Sequence, residues 1–383
     1  HDDGDRGVRT CSKVQCSMFK GNRNPMKIGL FTEFSYPGKS EQQTYAEVLE
    51  QIGLADELGY DFFSITESYG KDLFSCSPFP LGLYVAAGQR ARRIRFMTGI
   101  TSMPVHHPAI LASEVAAADL LTNGRIMVGI GRGHPWVISR LGVDPAQSAA
   151  HFEEGIRMLV EIFKGEYIEK LDGEFWQLRD FTLSPVPVQR PYPPIYTAAA
   201  TTPASAAFAG KIGQGLVQPG YLGISFDLVR GLTETYRNHL PVPAKSDVVL
   251  GIHLHVNQDR EVAIENGALA LSSQADVFLR GRLSRTIESA QIQTYATKSA
   301  SKEAFEKLHT PDKARAAVAD EGPNIMAVWG TPEDCVEKIK FYVESLRPEQ
   351  LMLNIASGSL PQNKVLQSMR LCAEAVMPAV REM

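Results

Sequence analysis

Arg132 and His134 stand two residues apart in the glycine-rich stretch Gly129-Ile-Gly-Arg-Gly-His-Pro-Trp136, and they are the residues whose types and spacing most directly offer chemistry. A guanidinium is permanently charged and forked, which suits a phosphate or a carboxylate. An imidazole titrates near neutrality and can hydrogen-bond a ligand. Glycines at 129, 131 and 133 lack a Cβ, so a backbone or a flat ligand can approach closely. Taken alone, the same stretch also reads as an ordinary strand-to-helix turn with a surface arginine. Other histidines fall at Met103-Pro-Val-His-His-Pro108, where His107 reads as a structural residue satisfying loop backbone and His106 is less constrained. His253 and His255 share one strand face, a spacing a metal could use, but no third ligand is evident. Trp136 and Trp329 sit beside strand ends or helix starts, where they either line an apolar pocket or simply pack.

The elements that must position these residues alternate along the chain. Apolar runs predict strands over 28–31, 62–66, 94–101, 125–130, 195–198, 216–218, 248–256 and 351–355. Between them lie helical patterns such as Tyr45, Val48, Leu49, Ile52, Ala55 and Leu58, closed by Gly59. Thr202-Pro203 and Thr331-Pro332 each read as a capping hydroxyl followed by a proline at the first helical position. Mostly apolar strands joined through helices imply a parallel sheet with the helices outside it. Eight such repeats match an α/β fold of the (β/α)8 TIM-barrel type, with a doubly wound sheet as the runner-up. A Pro-rich, aromatic region at about 167–194 reads as an insertion with a hairpin. A polar section at about 271–323 is too long for an ordinary connection and reads as a second insertion, with the character of a lid.

The chain has 383 residues, 44% hydrophobic and 21% charged, which is enough for a large core. A formal net charge of -4 gives no basic footprint for nucleic acid or an acidic membrane, so a small-molecule partner is expected. Five scattered cysteines fit a reducing compartment, and the cytoplasm is the default expectation. No apolar run approaches the roughly 18 residues that a spanning helix needs, so a soluble chain is expected. Residues 1–25 lack apolar periodicity and read as an N-terminal extension, native or added, ahead of a single domain over 26–383. No Walker sequence or Ser-His-Asp order stands out, and Gly129-x-Gly131-x-Gly133 is not the dinucleotide fingerprint.

Several segments together resemble the bacterial luciferase-like, flavin-dependent monooxygenase family over nearly all of 26–383. They are Met103-Pro-Val-His-His-Pro108, Asp119-Leu-Leu-Thr-Asn-Gly-Arg125, Gly129-Ile-Gly-Arg-Gly133 and Gly330-Thr-Pro332, with Leu366-Gln-Ser-Met-Arg-Leu371 through Val376-Met-Pro378 near the end. The resemblance implies a barrel of this type, reduced FMN used to activate oxygen, a separate flavin reductase that supplies it, and a homodimer. It matches Arg132 to the arginine that holds the flavin phosphate, and Ala199-Ala-Thr-Thr-Pro203 to the segment that completes the phosphate site. Ala200, Thr201 and Thr202 are the positions expected there, and Ser205 is a further one. Free amides at a helix start near Thr202 or Pro203 independently favour an anion, although the threonines would also serve as simple caps. Gly99-Ile100 matches the place where the family often has a non-prolyl cis peptide beneath the flavin ring. His134 is expected to hydrogen-bond flavin or substrate.

One departure bears on the reaction. Where luciferases place a pair of histidines after a glutamate, this chain has Glu67-Ser68-Tyr69, so the family's base is missing at Ser68. Tyr69 as proton donor and Glu67 as orienting group are the expected replacements. The expectation is a two-component monooxygenase oxidising a small organic substrate. The alternatives are a deazaflavin-dependent oxidoreductase on the same barrel and a non-catalytic flavin-binding subunit.

Overall fold

The computed structural model describes residues 25–34, 38–70, 75–220, 224–283, 305–356 and 358–383. Most of the expected N-terminal extension, with Cys11 and Cys16, lies outside the described residues, as does 284–304 of the expected second insertion.

Ten strands form one parallel sheet: β1 (Lys27–Thr32), β2 (Phe62–Ile65), β3 (Arg95–Thr98), β4 (Thr101–Ser102), β5 (Ile126–Gly131), β8 (Ile195–Ala198), β9 (Gly215–Gln218), β10 (Val248–Val256), β11 (Ala327–Gly330) and β12 (Gln350–Ala356). The order β1-β2-β3-β5-β8-β9-β10-β12 returns to β1 and closes an eight-stranded (β/α)8 barrel. All eight expected strands are present. The third is broken into β3 and β4, with the Gly99–Ile100 peptide between them in the cis form. A ninth strand, β11, was not expected from its short run. It pairs with the upper edge of β10, where His253 to Val256 lie beside Ala327 to Gly330, after β9 has ended beside Leu250.

Helices between the strands bury one face against the barrel. α1 (Glu41–Leu58) starts where the Ser40 hydroxyl accepts from the Gln43 amide and ends at Gly59 in the left-handed region, the stop expected from the sequence. α2 (Pro80–Gly88), α3 (Pro108–Leu121), the single turn α4 (Pro135–Ile138), α5 (Ser148–Phe163), α6 (Pro203–Lys211) and α7 (Phe226–Asn238) follow. The antiparallel hairpin β6 (Ile168–Asp172) and β7 (Gln177–Phe181) lies within the expected first insertion. α8 (Arg260–Leu283) runs well into the polar section expected to be a second insertion, and α9 (Pro311–Glu321) forms within it. α10 (Pro332–Leu346) begins in a capping box between Thr331 and Asp334. α11 (Gln362–Leu371), a π turn at Cys372–Val376 and α12 (Met377–Arg381) end the chain. Cys335 in α10 and Cys372 at the π turn are buried free thiols, and Cys76 is half-buried. Among the described residues no helix is long and apolar enough to cross a membrane.

The barrel lumen is filled by alternate strand residues, Phe31, Phe62, Met97, Met127, Tyr196, Val217, Val249 and Met352, as a two-residue period requires. Towards the C-terminal ends the same inward faces turn polar, at Ser64, Thr66, His253, His255 and Asn354. One approach is set by a missing side chain: a Cβ on Gly129 would lie 2.0 Å from the Thr98 carbonyl oxygen of the neighbouring strand. Burial, followed by His255, holds His253 down at about 3, while burial and Lys364 hold His255 down at about 4.

Two outcomes follow from this packing. Gly129→Ala forces β3 and β5 apart and is expected to lower stability by roughly 1–3 kcal/mol, read from urea denaturation midpoints. His253 and His255 are folded in the neutral state, so the unfolded chain takes up their protons first. Their contribution is complete above the unfolded value of about 6.5 and is lost as pH falls towards their folded values. The melting temperature should therefore drop between pH 7 and pH 5, and the drop should be smaller in His255→Asn.

Candidate active site

One cavity opens at the C-terminal ends of the strands, with an empty volume of about 930 Å³ counting its mouth. Its apolar floor includes Phe31, Met97, Val217 and Met352 from the top of the lumen packing. Gly99 and Ile100 form part of one wall. The expected cofactor positions Arg132, His134, Ala200, Thr201 and Thr202 also line it, together with Ser205. Residues separated by about a hundred positions in sequence are brought round one space because their strands end at the same rim.

Arg132 follows directly on β5, and its Nη2 donates to the Thr202 hydroxyl at 2.9 Å. Thr202 occupies the N-cap position of α6 but makes no side-chain cap bond, so its hydroxyl serves the arginine rather than the helix. The simple capping role is therefore not what this side chain does. The forked guanidinium, two threonine hydroxyls and the amides of the first turn of α6 form a donor set suited to a dianionic phosphate. A phosphate-bearing cofactor of the flavin type would find its anion donors among these residues. His134 is the N-cap of α4 and stacks on Trp136, with ring centroids 4.5 Å apart. Trp136 and Trp329 belong to one buried apolar cluster with parts of α8 and α9, and neither is on the cavity wall.

The Glu67 carboxylate is buried on the cavity wall at the end of β2. Its Oε1 accepts from the Ser102 amide at 2.9 Å. His106 Nε2 lies 3.2 Å from both Glu67 oxygens and 3.0 Å from the Tyr69 hydroxyl. Burial opposes a charge on His106, but the Glu67 hydrogen bond and the charges of Glu67 and Glu114 outweigh it and raise its pKa. Burial, then the charges of Glu67 and Glu114, push the Tyr69 phenol far above its ordinary value, which keeps it protonated. Tyr69 itself stands behind this wall, packed against the Trp136 and Trp329 cluster. Ser68 is buried beside it and offers no base. The structure thus brings to Glu67 a histidine from the loop before α3, which the sequence reading left unassigned. His107 instead caps α3, accepting from the Ala109 amide through Nδ1. The only signal for His106 in the sequence was its place in a polar doublet at a strand exit, a place it shares with His107.

Comparison with known proteins agrees with this architecture. The family described as luciferase-like monooxygenase matches residues 26–347. The oxygenase component of flavin-dependent trigonelline monooxygenase from Acinetobacter baylyi is 31% identical over 204 residues, which is 52% of this chain and 56% of that protein. Over the first such curated relatives the matched stretch spans little more than half of their length. The F420-dependent glucose-6-phosphate dehydrogenase of Rhodococcus erythropolis is 24% identical, covering 82% of this chain and 89% of that one. Among solved structures, the monooxygenase RslO1 from Streptomyces bottropensis superposes with a TM-score of 0.74 at 27% identity, over 92% of this chain and 99% of its own. With a closed parallel barrel, a cavity at its C-terminal mouth and a family match across 26–347, the chain belongs to the luciferase-like monooxygenase family.

Proposed function

We propose that this protein is the oxygenase of a two-component flavin-dependent monooxygenase, taking reduced FMN from a separate reductase and using molecular oxygen to oxidise a small organic substrate. The observation that carries the reading is the Arg132–Thr202 hydrogen bond at the cavity rim beside the start of α6. When bound, reduced FMN supplies the oxygen-activating electrons, and the protein's part is to bind, orient and keep water away. Arg132, Thr201 and Thr202 hold the phosphate. Ala200 and the Gly99–Ile100 wall give the ring a close backbone surface, and His134 stands at the rim where it can hydrogen-bond the ring or the substrate. Glu67 is the group on the wall that exchanges a proton with the bound molecule. Tyr69 and His106 act through it, the phenol as a fixed hydrogen-bonding partner in the cluster and the imidazolium as compensation for its charge.

A second reading, hydride transfer with an F420-type deazaflavin, is favoured by the similarity to F420-dependent dehydrogenases. Titrating the protein with reduced FMN and with F420 in parallel separates the two. The monooxygenase reading expects tighter reduced-FMN binding and oxygen-dependent product formation on adding a flavin reductase, and it fails if only F420 binds.

Arg132→Ala should weaken FMN binding by roughly ten- to a hundredfold, the loss expected of one charge-assisted contact, with the melting temperature little changed. Unchanged affinity would refute the phosphate role. His106 has a raised pKa, so its stabilising pairing with Glu67 is fully present below about pH 6.5 and fades as pH rises through the raised value. His106→Gln should accordingly lose more stability at pH 6 than at pH 9, and should shift the pH profile of turnover rather than flavin affinity.

A further inference from the structure

We propose that the β2 side of the mouth cavity recognises the substrate, and that it takes a flat, apolar molecule bearing a phenol-type hydroxyl, held by Ser64 and Thr66 and deprotonated by Glu67. The assignment rests on the reading of Glu67 as the group that exchanges a proton with the bound molecule. All three residues line the cavity. Ser64 stands in β2 and Thr66 just beyond it, on the same inward face as Phe62 of the lumen by the two-residue period. In barrel order β2 lies four strands from β9, so this strip faces Val217 and Pro219 across the cavity.

Ser64 is fully buried and Thr66 is 5% exposed, yet neither hydroxyl has a hydrogen-bond partner among the described residues. Native proteins leave few buried hydroxyls unsatisfied, and two of them open to one cavity mark a place for a polar guest. Gly99 leaves room for the lower one, since a Cβ there would lie 2.2 Å from the Ser64 Oγ. Neighbouring polar side chains are already committed. The Thr98 hydroxyl donates to the Gly129 carbonyl at 2.7 Å, and Arg132 donates to Thr202 on the β5 side. Glu67 differs from them, because a carboxylate offers about four lone-pair sites. The Ser102 amide, His106 Nε2 and the Tyr69 hydroxyl bring at most three hydrogens to it, which leaves a site for a hydrogen from the cavity.

The chemistry of the guest follows from these valences. Glu67 only accepts, so the guest must bring a hydrogen; the two hydroxyls can donate, so the guest must also accept. A hydroxyl group meets both demands at one oxygen. The opposite wall and the floor are apolar, at Val217, Pro219, Phe31, Met97 and Met352, which calls for a hydrocarbon body. A phenol combines the two, and its O–H is acidic enough for a positioned base to ionise during reaction. As that bond breaks, the proton forms an O–H bond on Glu67 and the electron pair stays on the guest oxygen. Ser64 and Thr66 then donate to the developing negative charge, and no electron is gained or lost in the step. The ring left behind is electron-rich, which suits oxidation. A carboxylate guest would meet Glu67 with like charge, an ether lacks the hydrogen that Glu67 calls for, and a quaternary cation leaves both hydroxyls unpaired.

The test titrates the full chain by calorimetry with 2-naphthol, 2-methoxynaphthalene, 2-naphthoate and N-methylquinolinium, without FMN and at saturating FMN. 2-Naphthol is expected to bind at least about tenfold more tightly than the other three. Ser64→Ala and Thr66→Val should each weaken 2-naphthol by about three- to tenfold. Glu67→Gln should bring 2-naphthol and 2-methoxynaphthalene within about threefold of each other, a loss of discrimination that a merely structural role would not produce. Thermal melts of each variant separate loss of the strip from loss of the fold. Absence of 2-naphthol binding, equal or tighter binding of any comparator, unchanged 2-naphthol affinity in the folded hydroxyl variants, or undiminished discrimination in a folded Glu67→Gln protein overturns the proposal. FMN affinity, titrated separately, should not change in these variants. If Ser64→Ala and Thr66→Val weaken FMN instead of 2-naphthol, the hydroxyls belong to the flavin and the proposal falls. If FMN fails to bind while the naphthol results hold, it is the flavin reading that falls, and the recognition strip stands.

Discussion

Closure of the sheet imposes one constraint from which most of this structure follows: every second residue of eight strands must share a single narrow lumen. At the lower end that space is filled by large apolar side chains, with Phe62, Met97, Met127, Tyr196, Val249 and Met352 meeting from all sides. The opposite strand faces must then be apolar too, because helices cover them, and Leu250, Ile252 and Leu254 of β10 meet that demand. Polar groups have no place to go but the strand ends. The mouth is where the packing rule lapses, and it is there that Glu67, Arg132, Thr201 and Thr202 collect.

Within the mouth, charge is segregated by strand. The β5 and β8 ends supply a guanidinium, hydroxyls and helix amides. The end of β2 supplies a carboxylate whose partners arrive from the loop before α3. Between these, the close contact of Gly129 with the Thr98 carbonyl draws two strands together directly below the rim. Small changes in that spacing would alter the distance between the Arg132 side and the Glu67 side, so the glycine belongs to the geometry of the site as much as to the core.

Much of this was legible because strand and helix periods are local. The eight barrel strands, the Gly59 stop and the Thr331 cap all follow from residues within a turn or two of one another. The convergence of Arg132 with Thr202 was accessible only through the family resemblance, since seventy residues separate them. His106 stayed hidden for a plainer reason: its contact with Glu67 spans 39 positions, and its neighbour His107 is an equally plausible polar residue until the backbone decides which of them caps α3. β11 was missed because its run is short and ends against a strong helix start at Thr331. The length of α8 was obscured by serines and glutamine that look like loop residues, of which Gln274 is buried.

The described cysteines acquire a meaning from their surroundings. Burial pushes the Cys372 thiol up to about 12 and Cys76 up to about 11, and it raises Cys335 further still. Oxidation begins from the thiolate, and at neutral pH almost none is present at these three positions. Were the chain to handle oxygen and reduced flavin as proposed, reactive oxygen escaping the pocket would meet protonated sulfur at these three positions.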